Sequence, residues 1–161
     1  MHFGDLIQLR HVHSGGLLML GNDPGNVPGS WDLHITLEGS ERAWIRLLPE
    51  DGRRRIGDMV RYCDKAIVAM RAAHLDYYLC SIKSRSNHTK WNMNDSKQWS
   101  ITAYHLPHGW NIKRYESYLN DKNLLRYGVP IMLRNKRTGC HLTVAYQPDL
   151  NDFKQILNSS V

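Results

Sequence analysis

The side chains best equipped for chemistry in this chain are nine histidines, three cysteines and the run Arg53-Arg54-Arg55. His11 and His13 are two residues apart, so on a strand both rings leave the same face, as two zinc ligands would. A metal needs further ligands, and the sequence sets none beside this pair. Nowhere do the histidines take the H-E-x-x-H spacing of a zinc hydrolase. Cys63, Cys80 and Cys140 form no C-x-x-C pair and are odd in number, which fits small buried hydrophobes in a reducing compartment rather than a disulfide framework. Asp5 and Asp58 could act as acid and base only if the fold joined them. No G-x-S-x-G elbow and no glycine-rich phosphate loop follows a strand. The expectation is a protein that is not an enzyme, with no catalytic, ligand-binding or metal residue assigned and no cofactor.

Charge and aromatic placement suggest contact surfaces instead. Lys and Arg total 21 against 15 Asp and Glu, a formal charge of +6 that favours acidic partners. Arg53, Arg54 and Arg55 lie between Asp51-Gly52 and Gly57-Asp58, so they read as a solvated turn. Trp31 and Trp110 stand beside Pro and Gly in apparent loops and are assigned, with the three arginines, as candidate interaction residues. Trp44 and Trp99 lie in alternating stretches and are assigned to the core. No nucleic-acid-binding motif is present. No apolar run approaches the roughly 20 residues of a membrane-spanning helix, and the first residues do not read as a signal segment.

These residues hang on a repeat. Residues 4–18, GDLIQLRHVHSGGLL, and 128–142, GVPIMLRNKRTGCHL, share Gly4/Gly128, Ile7/Ile131, Leu9/Leu133, Arg10/Arg134, Ser14/Thr138, Gly15/Gly139 and Leu18/Leu142 without a gap. A middle copy is expected over 66–80, with Val68, Met70, Arg71 and Leu79 matching Ile7, Leu9, Arg10 and Leu18. Alternating apolar residues define a half-buried strand in each copy. Gly15, Gly16 and Gly139 supply the tight turn. The repeat core is Leu9, Leu18, Trp44, Met70, Leu79, Trp99, Leu133 and Leu142. Trp44 and Trp99 read as equivalent closing strands.

Three such units spell an all-β chain, a β-trefoil in which six strands close a barrel. The third closing strand is expected at 162–168, beyond Val161, so an incomplete trefoil is the expectation. Short helices are expected in linkers, over 113–125 and 150–157. The divisions are residues 1–122, holding units one and two, and 123–161, holding the third hairpin or the start of a second trefoil.

The ordered series GDLIQLRHVHSG, EGSERAWIRLLP, RRRIGDMVRYCDKAIV and WNMNDSKQWSI resembles the MIR repeat, and within it the N-terminal region of inositol trisphosphate and ryanodine receptors. The second hairpin opens on Cys63-Asp64 where that family has Gly-Asp. The resemblance implies a non-catalytic interaction module, part of a longer calcium-release channel on the cytosolic face of the endoplasmic or sarcoplasmic reticulum. Its partners would be neighbouring domains or subunits. The family's basic inositol trisphosphate cluster is missing from 145–161, so that ligand is not expected to bind. The alternative is a secretory-pathway MIR domain of the protein O-mannosyltransferase or lumenal chaperone-associated type. Sequons at Asn87, Asn94 and Asn158 would be used only there, and are attributed to chance.

Overall fold

The computed structural model describes residues 1–25, 27–72, 75–83, 99–115, 123–145 and 156–160. Eleven strands account for the described regular structure: β1 Leu6–Ile7, β2 Leu17–Pro24, β3 Trp31–Thr36, β4 Ile45–Pro49, β5 Lys65–Ala72, β6 Leu75–Lys83, β7 Trp99–Tyr104, β8 Gly109–Arg114, β9 Ile131–Asn135, β10 His141–Ala145 and β11 Ile156–Ser160. One short 3-10 turn, Glu41–Ala43, is capped by Ser40, whose hydroxyl accepts from the Arg42 amide.

All ladders are antiparallel, and their order is that of a trefoil. The barrel runs β1–β4–β5–β8–β9. The cap consists of β2/β3, β6/β7 and β10/β11, tied together where Trp31 meets Ala103 and Asn158 meets Ser100. The third unit is therefore laddered to the second at two places, β9 to β8 and β11 to β7. The division expected between 122 and 123 falls beside residues outside those described.

Each fifteen-residue repeat turns a barrel strand into the first strand of a cap hairpin. In the outer copies the construction is the same, group for group. Arg10 Nη1 donates to Gly15 O at 2.9 Å, and Arg134 Nε donates to Gly139 O at 2.8 Å. Gly15 and Gly139 take φ of 70° and 75°, a region that costs a glycine little. Gly16 has a different duty, because a Cβ there would run into the Ile35 side chain.

The ladders correct the register expected for the middle copy. Ile7 pairs with Ile45 as Ala66 pairs with Trp110, and Leu47↔Val68 recurs as Ile112↔Leu133. Val68 is thus the counterpart of Leu9, and Ala66 that of Ile7. The middle ribbon carries two extra residues before its turn. A slip of two keeps every side chain on its own face, so the apolar pattern could not reveal it.

Leu18, Met70, Leu79 and Leu133 are buried as expected, and Leu9 and Leu142 pack against that core while partly exposed. Two tryptophans are exchanged relative to expectation. Trp110 lies within β8, fully buried, its indole N–H donating to Leu79 O at 2.9 Å. Trp44 stands just before β4 and is 45% exposed. The phase of β4 is set by Ile45 and Leu47, and Trp44 has the opposite parity. Trp99 opens β7, a cap strand paired with β6 and β11, so it is no counterpart of Trp44. β8 is the true counterpart of β4.

Of the expected helices, Lys113 and Arg114 are in β8 and Ile156 and Leu157 are in β11. The rest of both stretches lies largely outside the described residues.

Candidate functional site: an apolar groove at the open barrel seam

Among the described residues the barrel has five strands, and no ladder joins β1 to β9. The incomplete barrel read from the sequence is present, and its seam is a groove of about 970 Å³. β1 and the segment after it form one wall (Ile7, Leu9, Arg10), and residues 125–133 form the other (Leu125, Ile131, Leu133). Trp44, Leu6 and Tyr115 stand exposed at the rim. A neighbouring recess of about 480 Å³ shares Leu6 and Trp44 with it.

The backbone at the seam is oriented by the cap. Leu18 N donates to Leu9 O, and His11 N donates to Gly16 O, both toward β2. In extended chain the polar groups of alternate residues point to opposite edges. Those of Gln8 and Arg10 consequently face the seam.

The foot of the seam is fastened from side to side. Tyr127 Oη donates to Asp5 Oδ2 at 2.6 Å, and the Met1 ammonium reaches Leu125 O at 3.4 Å. The Tyr127 hydrogen bond, helped by that of the His2 amide, holds the Asp5 carboxyl below its ordinary value; the same bond raises the Tyr127 phenol. No spacing rule links residues 122 apart, so the pair could not have been found in the sequence.

The groove's charge is one-sided. Arg10, His11, His13, Arg126 and His141 border it, with no carboxylate among its lining residues. The His11 and His13 rings meet edge to face, 5.7 Å between centroids. Desolvation, then the His13 charge, lowers the His11 pKa, and its Nδ1 lies 2.9 Å from Ser14 Oγ. Among the described residues no third His, Cys, Asp or Glu gathers with them.

The other assigned residues lie elsewhere. Arg53 and Arg55 are exposed, their amides held by Asp51 and Asp58, and Arg54 pairs with Asp64 at 3.2 Å. Trp31 is half-buried, edge-on to Tyr77 with Arg42 over its ring. Trp110, expected to be an exposed contact, is interior. Asp5 and Asp58 each accept a backbone N–H from three residues earlier, which makes them turn residues.

Cysteine placement is mixed. Cys140 and Cys80 are buried, and burial pushes the Cys80 thiol up to about 12. Cys63, expected inside, is exposed at φ 71°. It occupies the slot of Gly4: Cys63 N donates to Ile112 O as Gly4 N donates to Leu47 O. A second buried polar set, at the junction of β4, β8 and β9, leaves Glu50 Oε2, His108 Nδ1 and Asn135 Nδ2 without protein partners.

Comparison with solved structures returns the same fold over the whole chain. A Caenorhabditis elegans protein of unknown function matches at TM-score 0.71 and 13% identity, over 99% of this chain and 88% of that one. The SDF2-like protein from Arabidopsis thaliana matches at TM-score 0.65 and 13% identity, over 99% and 87%. The S. cerevisiae protein O-mannosyltransferase Pmt1-Pmt2 complex matches at TM-score 0.71 and 14% identity, over 100% of this chain and 23% of that one. No family model and no curated protein sequence matches. At these identities the shared property is the fold, a β-trefoil.

Proposed function

We propose that this protein is a non-catalytic MIR-type β-trefoil module of the secretory pathway, acting by contact beside an enzyme or a chaperone. The observation that carries this reading is the full-length match of the chain to 23% of the Pmt1-Pmt2 chain. There the fold is one part of a larger glycosyl-transferring assembly. In the SDF2-like match the same fold makes up 87% of the solved chain. The site also supports contact over catalysis: the described groove gathers mainly apolar side chains and backbone edges, and the His11 ring and Ser14 hydroxyl beside it are taken up in the turn, accepting from the Ser14 and Gly16 amides.

This was the second choice at the level of sequence. The channel reading predicts the same trefoil, but the two neighbours of known name, the SDF2-like protein and the mannosyltransferase complex, are not channels. It has no further support.

Compartment is the deciding measurement. In microsomes from cells expressing the gene at its own locus, the proposal expects resistance to added protease until detergent is present. It also expects an endoglycosidase-sensitive fraction modified at Asn87, Asn94 or Asn158. A protease-sensitive protein on the outer microsomal face would overturn it and restore the channel alternative.

A further inference from the structure

Two corners of the trefoil are built from the same parts. In the first unit His11 N donates to Gly16 O and Gly15 N donates to His11 O; in the third, Asn135 N donates to Cys140 O and Gly139 N donates to Asn135 O. Ser14 Oγ accepts from Gly16 N at 3.3 Å, and Thr138 Oγ1 accepts from Cys140 N at 3.2 Å. The remaining bond closes each tip from within. Asn135 Oδ1 accepts from Thr138 N at 3.0 Å, and from Arg137 N as well. His11 Nδ1 accepts from Ser14 N at 3.2 Å. One corner is thus closed by an amide oxygen, which does not titrate. Its twin is closed by an imidazole nitrogen, which accepts only while it carries no proton.

We infer that the His11 corner is a pH-operated catch: it holds the tip Val12-His13-Ser14 in neutral solution and releases it when the imidazole takes up a proton, while the Asn135 corner stays shut. Nδ1 also lies 2.9 Å from Ser14 Oγ. The hydroxyl and the amide both need its lone pair, so the resting ring carries its hydrogen on Nε2. Protonation places a hydrogen on Nδ1. The Ser14 hydroxyl can turn and accept it, but the Ser14 amide can only donate, and two donors then face each other. Nothing nearby favours the charge. The charged and titratable groups that border the groove with His11 are Arg10, His13, Arg126, His141 and the phenols of Tyr115 and Tyr127, and no carboxylate is among its lining residues. β2 and β3 bring only Leu17, Leu18 and Ile35 to that lining. Desolvation and the His13 charge accordingly hold His11 below its usual 6.5. A base lowered in this way stabilises the fold above its unfolded value and ceases to as pH falls through the folded one. The catch is therefore shut above about 6.5 and opens in mild acid, the range in which histidine is the natural switch. Val12 and His13 are exposed at the tip, so its release changes the surface that this corner presents. The inference goes beyond the proposed function, because it concerns the corner alone and holds in either compartment.

The test is nuclear magnetic resonance on the full 161-residue protein between about pH 5 and 7.5, a range that brackets the usual histidine value. At the upper end the nitrogen shifts of His11 should report a neutral ring protonated on Nε2. Protection of the Ser14 amide, corrected for intrinsic exchange, should fall about tenfold or more toward the lower end, the loss of one ordinary hydrogen bond. Protection of Thr138 should not change. His11→Asn copies the third corner and should keep Ser14 protected throughout. His13→Gln should move the His11 titration up toward 6.5 and leave the catch working. A neutral His11 ring protonated on Nδ1 would overturn the inference. So would Ser14 protection that ignores pH in the unaltered protein, or one that still falls in acid in His11→Asn. Loss of the acid response in His13→Gln would overturn it too, by assigning the trigger to the neighbouring ring. Every readout lies at the corner, so failure here leaves the lumenal reading standing.

Discussion

Cys63 carries the clearest residue-scale cost. A side chain at φ 71° crowds its own carbonyl, and the matching residue in the first unit is a glycine at φ 93°. Left-handed backbone costs an L-residue about 1–2 kcal/mol, partly offset by the chain entropy a glycine loses. Cys63→Gly should therefore stabilise by about 0.5–1 kcal/mol, raising the melting temperature by about 1–4 °C in a scanning measurement. The same thiol is open to solvent while Cys80 and Cys140 are enclosed. Burial raises the Cys80 pKa from 9.0 to about 12, so it stays protonated where an exposed thiol would ionise. At pH 8, one thiol per native molecule should react promptly with a disulfide reagent. All three should react in denaturant. A Cys63→Gly protein should show no prompt reaction, and two fast thiols in that variant would contradict the burial described. The Cys-for-Gly exchange before Asp64 was visible in the sequence, but its backbone angle was not.

Elements were legible where their determinants are local. Arg10 with Gly15 and Arg134 with Gly139 are five residues apart, so the corner they build could be read twice from spacing alone. The slot of Trp110 could not, because Pro107-His108-Gly109 before it reads as loop punctuation. The ladders to β5 and β9 and the burial of Trp110 and Ile112 show that these two alternate inward. The consequence is testable on β8 itself. Trp110→Phe keeps most of the buried area but leaves Leu79 O without its donor, which should cost about 1–3 kcal/mol. Trp110→Ala should cost about 3–5 kcal/mol by opening a cavity. Trp44→Ala, at the exposed counterpart expected in the core, should stay within about 1 kcal/mol of wild type in urea unfolding. A larger loss at Trp44 than at Trp110 would reverse the assignment of inward and outward positions.

At the scale of the whole molecule the tension is between a pseudo-threefold barrel and a seam that, among the described residues, no strand ladder spans, fastened by the Tyr127–Asp5 bond and the Met1–Leu125 contact. Contacts between residues 5 and 127 depend on closure of the entire β1–β4–β5–β8–β9 circuit, so nothing local in the sequence announces them. They give the seam a distinctive pH response. The Asp5 carboxyl is lowered chiefly by Tyr127, so its contribution is complete above the unfolded value near 3.8 and fades as pH falls through the folded one. The Tyr127 phenol is raised by Asp5, so its contribution is complete below the unfolded value near 10.0 and fades as pH rises through the folded one. Tyr127→Phe should accordingly lower the melting temperature by a constant amount between about pH 5 and 9, with the gap to wild type narrowing on either side. Added salt should narrow it little, because the bond is a short-range hydrogen bond to a single charge rather than a pair of charges. The same variant should loosen the groove, quickening exchange at Gln8 and Arg10 in the free protein. A melting difference that does not change from pH 3 to 11 would show that Tyr127 acts by packing alone and that the seam has no latch.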